Sequence, residues 1–415
     1  SNSSITVRGT ARNLGDTFTI GTDVDWQSVQ TGDFTAAAGN GYFVNTTSAV
    51  VEVTLPSSAS IGDTIAIKDY AGTFATNNLT IARNGHKIQG VTNNSLISTN
   101  RASLVLIYVD ATKGWLFTDE HNVADLQTVL YISATGGTVT TSGDFKIHSF
   151  TGDGCFVVAN TGNAPIGGPA SVDYLVVAGG AGASGNGGGG AGGFRTSYPS
   201  PAGVIPVSAQ TYPITVGGGA SGTSNGSNSI FSTITSAGGG GGTGPTGNGN
   251  PGGSGGGGAI RCFPGPGSGS HVGNAGAGNT PPTSPSQGNN GGHASPRSSP
   301  AAPIAGAGGG GAGGAGSNGA EGPPGTGGNG GAGTANSITG SSVTRAGGGG
   351  GGVGRHYGPT QTFVGGTGGS GGGGNGQTVD GGTPPSNGTA NTGGGAGARG
   401  GVGGSGIVII RYKFQ

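Results

Sequence analysis

Methionine is absent from this chain altogether, and cysteine occurs only as Cys155 and Cys262. A start at Ser1 therefore implies removal of an initiator methionine or of a longer precursor piece. The two cysteines lie far apart in dissimilar surroundings, which suggests neither a disulfide framework nor a zinc site. Charge is scarce as well: charged residues make up 8% of the chain, and sixteen basic side chains cancel sixteen acidic ones, where an ordinary soluble domain carries about 25%. Nucleic acid is not expected as a partner, because phosphate binding needs a concentrated basic footprint. No run of about twenty apolar residues is present, and no basic-then-apolar leader opens the chain. No segment shows the 3.6-residue apolar period of a helix.

Catalytic and cofactor signatures are missing too. Gly-x-Gly-x-x-Gly recurs, as a glycine-rich sequence must produce by chance, but never at a strand-to-helix turn with a later acid, and no glycine run continues into Lys-Ser or Lys-Thr. Calcium-binding β-rolls need aspartate recurring in glycine-rich nonapeptides, whereas Glu321 and Asp380 are the sole acids from Gly217 to Gly406. Asp23 and Asp25 before Trp26 read as a solvated turn. His271, His293 and His356 lack metal-ligand spacing, and no nucleophile-elbow pattern occurs. Neither an enzyme nor a bound cofactor or metal is expected.

What the chain does have is glycine, at 104 of its 415 positions, with 31% hydrophobic residues. No conventional apolar core can order all of it. Residues 1–120 read as a β-sandwich or prism-like domain, with short apolar runs separated by turn residues. Val51, Val53 and Leu55 alternate with polar neighbours before Pro56. Ile65 with Ile67, and Leu79 with Ile81 before the turn Asn84-Gly85, repeat the pattern. Leu104, Val105, Leu106, Ile107, Tyr108 and Val109 are apolar on both faces, which marks a central strand or a subunit interface. Trp115, Leu116 and Phe117 follow as a closing strand, and 121–129 reads as a linker.

Residues 130–216 read as a β frame. Phe145 to His148 and Cys155 to Val158 look like a strand pair joined around Gly152-Asp153-Gly154, and Val172 to Ala178 is a third, strongly apolar strand. Glycine dominates 217–406, and Ile407 to Tyr412, within 407–415, forms a closing strand. Strands that bracket such a stretch argue against a disordered linker. Glycines that are consecutive or mixed with alanine, at Gly308 to Gly314 and Gly347 to Gly352, break the strict triplet of collagen. The remaining ordered form is a bundle of polyglycine type II helices, threefold and without internal hydrogen bonds, whose sideways donors and acceptors must be met by neighbouring helices. Fixing glycine is entropically expensive and each net hydrogen bond returns about 0.5–1.5 kcal/mol, so only a cooperative array can hold. Clusters such as Asn225 to Asn228, Pro281 to Pro285 and Pro323 to Pro324 read as the turns between short helices. The expected fold is all-β, with a β-framed polyglycine bundle and no substantial α-helix.

Three segments carry a family resemblance: Val172 to Ala178 running into a glycine stretch that ends Gly192-Gly193-Phe194-Arg195-Thr196; Tyr212 to Gly217 with Asn225 to Phe231; and Gly403 to Gly406 followed by Ile407 to Tyr412. With the lead-in Thr135 to His148, residues 130–415 resemble the glycine-rich module of tail-fibre and adhesin proteins of tailed bacteriophages, those of marine cyanophages especially. The first domain resembles a β module of marine phage structural proteins through Ser60 to Thr64, Asp69 to Phe74 and Asn77 to Gly85. The resemblance implies a virion-surface, extracellular protein, a homotrimer associated with other tail or fibre proteins, whose bundle presents variable loops to a host receptor. No long fibrous repeat or heptad stretch is present, which points to a short fibre or a tip.

Contact residues should be those with no reason to exist inside a glycine lattice. Arg261 with Phe263, and Arg355, His356 and Tyr357 with Phe363, interrupt otherwise featureless runs with the residue types that favour binding hot spots. They suit a host surface glycan or an outer-membrane protein loop. The alternative role is a structural virion or extracellular filament subunit without a receptor. An ice-binding surface would want a flat face of small residues, which the irregular prolines oppose.

Overall fold

The computed structural model describes residues 24–119, 129–164, 167–199, 203–243, 247–262, 270–296, 304–322, 324–354, 363–378 and 384–415. The chain divides into two compact units between Val129 and Leu130, and the described residues contain no α-helix. The fold is all-β.

The first unit comprises β1 (Asp25–Gln30), β2 (Phe34–Thr35), β3 (Asn40–Val44), β4 (Val51–Thr54), β5 (Thr64–Asp69), β6 (Leu79–Ala82), β7 (Ser95–Ile97), β8 (Ser103–Asp110) and β9 (Gly114–Asp119). Two sheets, ordered β1-β3-β5-β8-β9 and β2-β4-β6-β7, enclose one core. From β1 to β6 successive strands alternate between the sheets, so β1, β3 and β5 pair in parallel, as do β2, β4 and β6. Period-two patterning dictates which side chains face inward: Val51 and Val53 are buried while Glu52 is exposed. Strand β8 lies between β5 and β9. Its Leu104, Leu106 and Tyr108 enter the core, and Val105, Ile107 and Val109 are half-buried on the opposite face.

The second unit opens with β10 (Ser133–Thr135), β11 (Thr138–Ser142), β12 (Phe145–Phe150), β13 (Gly154–Asn160), β14 (Ser171–Val177), β15 (Phe194–Thr196), β16 (Ile205–Pro206), β17 (Thr211–Thr215), β18 (Ser229–Phe231) and β19 (Ile234–Ser236). Four short ladders follow: β20 (Ile260–Cys262) with β21 (Ser270–Val272), β22 (Ile304–Ala305) with β26 (Val353–Gly354), β23 (Gly325–Thr326) with β27 (Phe363–Val364), and β24 (Thr334–Asn336) with β25 (Val343–Arg345). The chain closes on β28 (Ile407–Lys413), which inserts antiparallel between β12 and β14. Sheets β10-β13-β17-β18-β19 and β11-β12-β28-β14-β15 form the frame.

One expected pairing is corrected. Strands β12 and β13 are not partners: β12 pairs with β11 and β28, and β13 with β10 and β17. The short connection between them crosses from one sheet to the other, which lets Phe150 and Phe156 enter the same core. Burial of two aromatic rings outweighs a local hairpin here, since each fully buried large side chain contributes about 1.5–3 kcal/mol.

At its centre, in β14 and β28, the second frame sheet is buried on both faces. One face supplies Tyr174, Val176, Val408, Ile410 and Tyr412 to the core shared with the first sheet. Within it His148 is fully buried, with Nδ1 2.7 Å from the Gly136 carbonyl and Nε2 3.1 Å from the Tyr412 hydroxyl. Because the carbonyl only accepts, Nδ1 carries the proton and Nε2 accepts from tyrosine. The other face supplies Leu175, Val177, Ile407 and Ile409 to a cluster with Ala191, Phe194, Ile338 and Ala346 of the glycine-rich part. The β24–β25 hairpin clasps this face: Ile338 is fully buried against it, and Asn336 Nδ2 donates to the Tyr198 carbonyl at 3.0 Å. At the sheet's end the Arg411 guanidinium lies over Phe145 at 3.9 Å and over Tyr198 at 4.6 Å.

Candidate functional site

The glycine segments satisfy their backbone sideways, and the bonds recur every three residues. Gly188 and Ala191 donate to Ala307 and Gly310; Gly189 and Gly192 donate to Ala396 and Gly393; Gly190 and Gly193 donate to Gly240 and Ala237. The carbonyls of the same segment accept from three further segments: Gly257 and Ser254 donate to residues 188 and 191, Gly352 and Gly349 to 186 and 189, and Ala181 and Ala178 to 190 and 193. Six neighbours thus surround the segment Gly187–Gly193, three accepting and three donating, with the threefold repeat of a polyproline II-type helix. Parallel and antiparallel neighbours mix freely, since a threefold helix presents the same donors in either direction. The lattice opens at Ala178, earlier than the expected boundary at 217, and its hub lies inside the segment read from sequence as frame.

Bare backbone is what permits this packing. A Cβ on Gly309 would overlap the Gly189 carbonyl, and one on Gly188 would overlap that of Gly349. Alanine is accepted where its methyl meets side chains, as Ala191 does against the frame.

At the lattice rim an outer helix lacks a neighbour on one side, and asparagine replaces it. Gly226 donates to Gly239 while Asn225 Oδ1 accepts from Gly241. Gly330 donates to the Thr367 carbonyl while Asn329 Oδ1 accepts from the Thr367 N–H at 2.9 Å. The same two-point clamp joins Asn248-Gly249 to Asn274, Asn290-Gly291 to Gly276 and Gly278, Asn318-Gly319 to His293, Asn375-Gly376 to Gly366 and Gly368, and Asn387-Gly388 to Val402. Among the described residues seven Asn-Gly steps are clamps of this kind. Read as sequence, Asn225 to Asn228 was a turn signal; the turn itself lies at Gly222–Thr223, and Asn225 already belongs to the next lattice run.

The hydrogen-bond map also orients the lattice. The chain leaves β14 at Ala178, runs outward to Ala183, and returns through Gly187–Gly193 into β15. The frame is therefore at the Gly193 end, and the Asn186 end is distal. Gly257 meets Gly188, Ala307 meets Gly188 and Gly352 meets Asn186, so β20, β22 and β26 all extend beyond the hub at the distal end. Gly328 pairs with Gly306, Gly366 with Gly351 and Gly376 with Gly366, which places β23, β27 and Gln377 there too. Thr243 joins them through its Oγ1, which accepts from Gly187 at 2.7 Å. The described residues flanking 244–246, 263–269, 297–303, 355–362 and 379–383 thus all stand at one end. Asn186, Ile304, Gly354 and Arg399 meet at that end, and Arg399 Nη1 donates to the Val353 carbonyl at 3.1 Å.

Of the residues singled out for contact, Arg261 and Phe363 stand at this end. Arg261 lies in β20 opposite His271, and Phe363 begins β27, half-buried and in register with Gly325. Phe263, Arg355, His356 and Tyr357 lie outside the described residues; their nearest described neighbours, Cys262, Gly354 and Phe363, belong to the distal ladders. The interface candidates Leu104 to Val109 belong to the first unit. Cys155 is an exposed free thiol on β13. What sequence reasoning missed is the rim: the recurrence of Asn-Gly at the margins of glycine runs was its visible signal.

A strand-framed lattice of laterally bonded glycine helices defines the class of this protein. By sequence the chain belongs to the glycine-rich domain family, whose model matches residues 154–413. That span runs from β13 to the end of β28 and includes the entire lattice. No curated protein matches the chain.

Proposed function

We propose that this chain is a fibre or adhesin on the surface of a tailed-phage virion and that the distal end of its lattice contacts the host cell surface. The observation that carries the reading is convergence. Separate chain crossings return to one end of a laterally bonded platform, and the segments holding Phe263 and Arg355 to Tyr357 begin and finish there. A lattice that holds its backbone by hydrogen bonds tolerates variable insertions at its ends, where no lattice position is occupied. Aromatic and arginine side chains with few neighbouring charges fit a glycan or an outer-membrane protein loop. The resemblance of the framing strands to phage fibre modules supports the same reading.

A homotrimer with other tail proteins as partners belongs to this proposal. The half-buried apolar face of Val105, Ile107 and Val109 supports it, and the same face is what an alternative, purely structural filament subunit would use. Adsorption separates the two roles. Purified protein added to candidate host cells should compete with infection, and Tyr357→Ala with Phe263→Ala should weaken competition while leaving the fold intact. Saturating protein that leaves adsorption untouched on a permissive host would remove the receptor role and favour the structural subunit.

A further inference from the structure

The seven rim clamps share a chemical liability that the lattice suppresses, and one Asn-Gly step outside the lattice does not enjoy that suppression. In an Asn-Gly step the glycine nitrogen, unshielded by any Cβ, stands open to the preceding carboxamide carbon. Its attack on Cγ forms a succinimide: the new N–Cγ bond replaces the Cγ–Nδ2 bond, ammonia leaves with the proton from the glycine nitrogen, and water then opens the ring to aspartate or isoaspartate. No oxidant or reductant enters, and water is the sole co-reactant.

We propose that Asn84 is a site of spontaneous deamidation in the folded protein, while the clamp asparagines are held unreactive. In each clamp the glycine N–H is donated to a neighbouring carbonyl and Oδ1 is tied to a neighbouring N–H, as at Asn329-Gly330 on Thr367. Attack requires both bonds to break and the carboxamide to rotate off its neighbour. At Asn84-Gly85 the turn is closed by His86 donating to Arg83, and among the described residues nothing accepts from Gly85. Gly85 is exposed with no atom near its Cβ position. At Asn84 a single bond, from Nδ2 to the Leu55 carbonyl at 2.9 Å, has to break before attack, against two in each clamp. Two further Asn-Gly steps are covered: Gly187 donates to Thr243 Oγ1 at 2.7 Å, and Gly41 lies in β3 against the Trp26 ring.

The test incubates the whole folded protein at mildly alkaline pH and maps isoaspartate by peptide mass spectrometry, with a parallel sample in denaturant. Asn84 should convert in the folded sample, and the clamp steps should lag it by about two- to tenfold, the factor that the second hydrogen bond of each clamp supplies. In denaturant the Asn-Gly steps should converge to similar rates, and Asn84→Gln should erase the native signal. Clamp steps that convert as fast as Asn84 in the folded protein would overturn the protection. An Asn84 that is silent when folded yet converts in denaturant would overturn the site.

Discussion

At single positions this protein inverts the usual meaning of glycine. A mid-element glycine normally weakens structure by about 0.5–1 kcal/mol relative to alanine; here the absent Cβ is the packing surface. Gly309→Ala should cost about 3 kcal/mol or more, because the methyl meets the Gly189 carbonyl and must push apart two bonded helices. Gly314→Ala should be neutral or stabilising by up to about 1 kcal/mol, since its Cβ would reach nothing closer than 3.7 Å. Denaturant unfolding of the two variants checks the contrast, and equal effects would contradict the lattice. His148 makes a second residue-scale prediction. Burial lowers its pKa below the ordinary 6.5, overcoming the Gly136 carbonyl bond that raises it, and Lys146 on the same strand adds to the lowering. Below pH 6.5 the unfolded chain takes up a proton that the folded chain refuses, so stability falls as pH drops through that value toward the lowered folded one. His148→Gln should flatten this acid slope, as followed by urea midpoints across pH.

At the scale of elements, the hairpin β24–β25 shows how the lattice is fastened to its frame. Ile338 is fully buried among Ile147, Leu175 and Ile409, so Ile338→Ala should cost about 2–5 kcal/mol. Hydrogen exchange should then rise in Gly187–Gly193 while β1 to β9 stay unchanged; a uniform rise across both units would refute the clasp. Several strands were legible in sequence, because strong apolar runs override context: β8 of the first unit and β14 and β28 of the frame fall where Leu104 to Val109, Val172 to Ala178 and Ile407 to Tyr412 put them. Pairing was less legible. Nothing local in Phe145 to Val158 distinguishes a hairpin from a crossing between sheets; the difference lies in partners from Thr138 to Ser142, Thr211 to Thr215 and Ile407 to Lys413. The parallel winding of β1, β3 and β5 was hidden for the same reason. In the candidate site, Arg261 and Phe363 were visible as interruptions of glycine runs. The asparagine clamps were not, because Asn-Gly favours turns in strand-rich proteins and acquires its other role only beside a helix that needs a carbonyl.

Taken whole, the second unit rests on its last strand. The lattice has little apolar surface, and its hydrogen bonds, at about 0.5–1.5 kcal/mol net each, must offset the ordering of glycine backbone that loses about 1–2 kcal/mol per residue. Balanced so closely, the array needs an anchor with conventional burial. Strand β28 provides it: central in its sheet, it places Val408, Ile410 and Tyr412 in one core and Ile407 and Ile409 in the cluster that touches Ala191. Its partner β12 lies at the start of the unit, so pairing them closes the whole glycine-rich span into one loop, a contact of high sequence separation that comes late in folding. A chain ending at Gly406 should therefore keep the cooperative unfolding of the first unit and lose amide protection throughout Ala178–Gly193. Hydrogen exchange with mass spectrometry reads both regions in one experiment. Protected lattice amides in the shortened chain would mean that the glycine helices hold themselves together, and that the frame only orients a platform already formed.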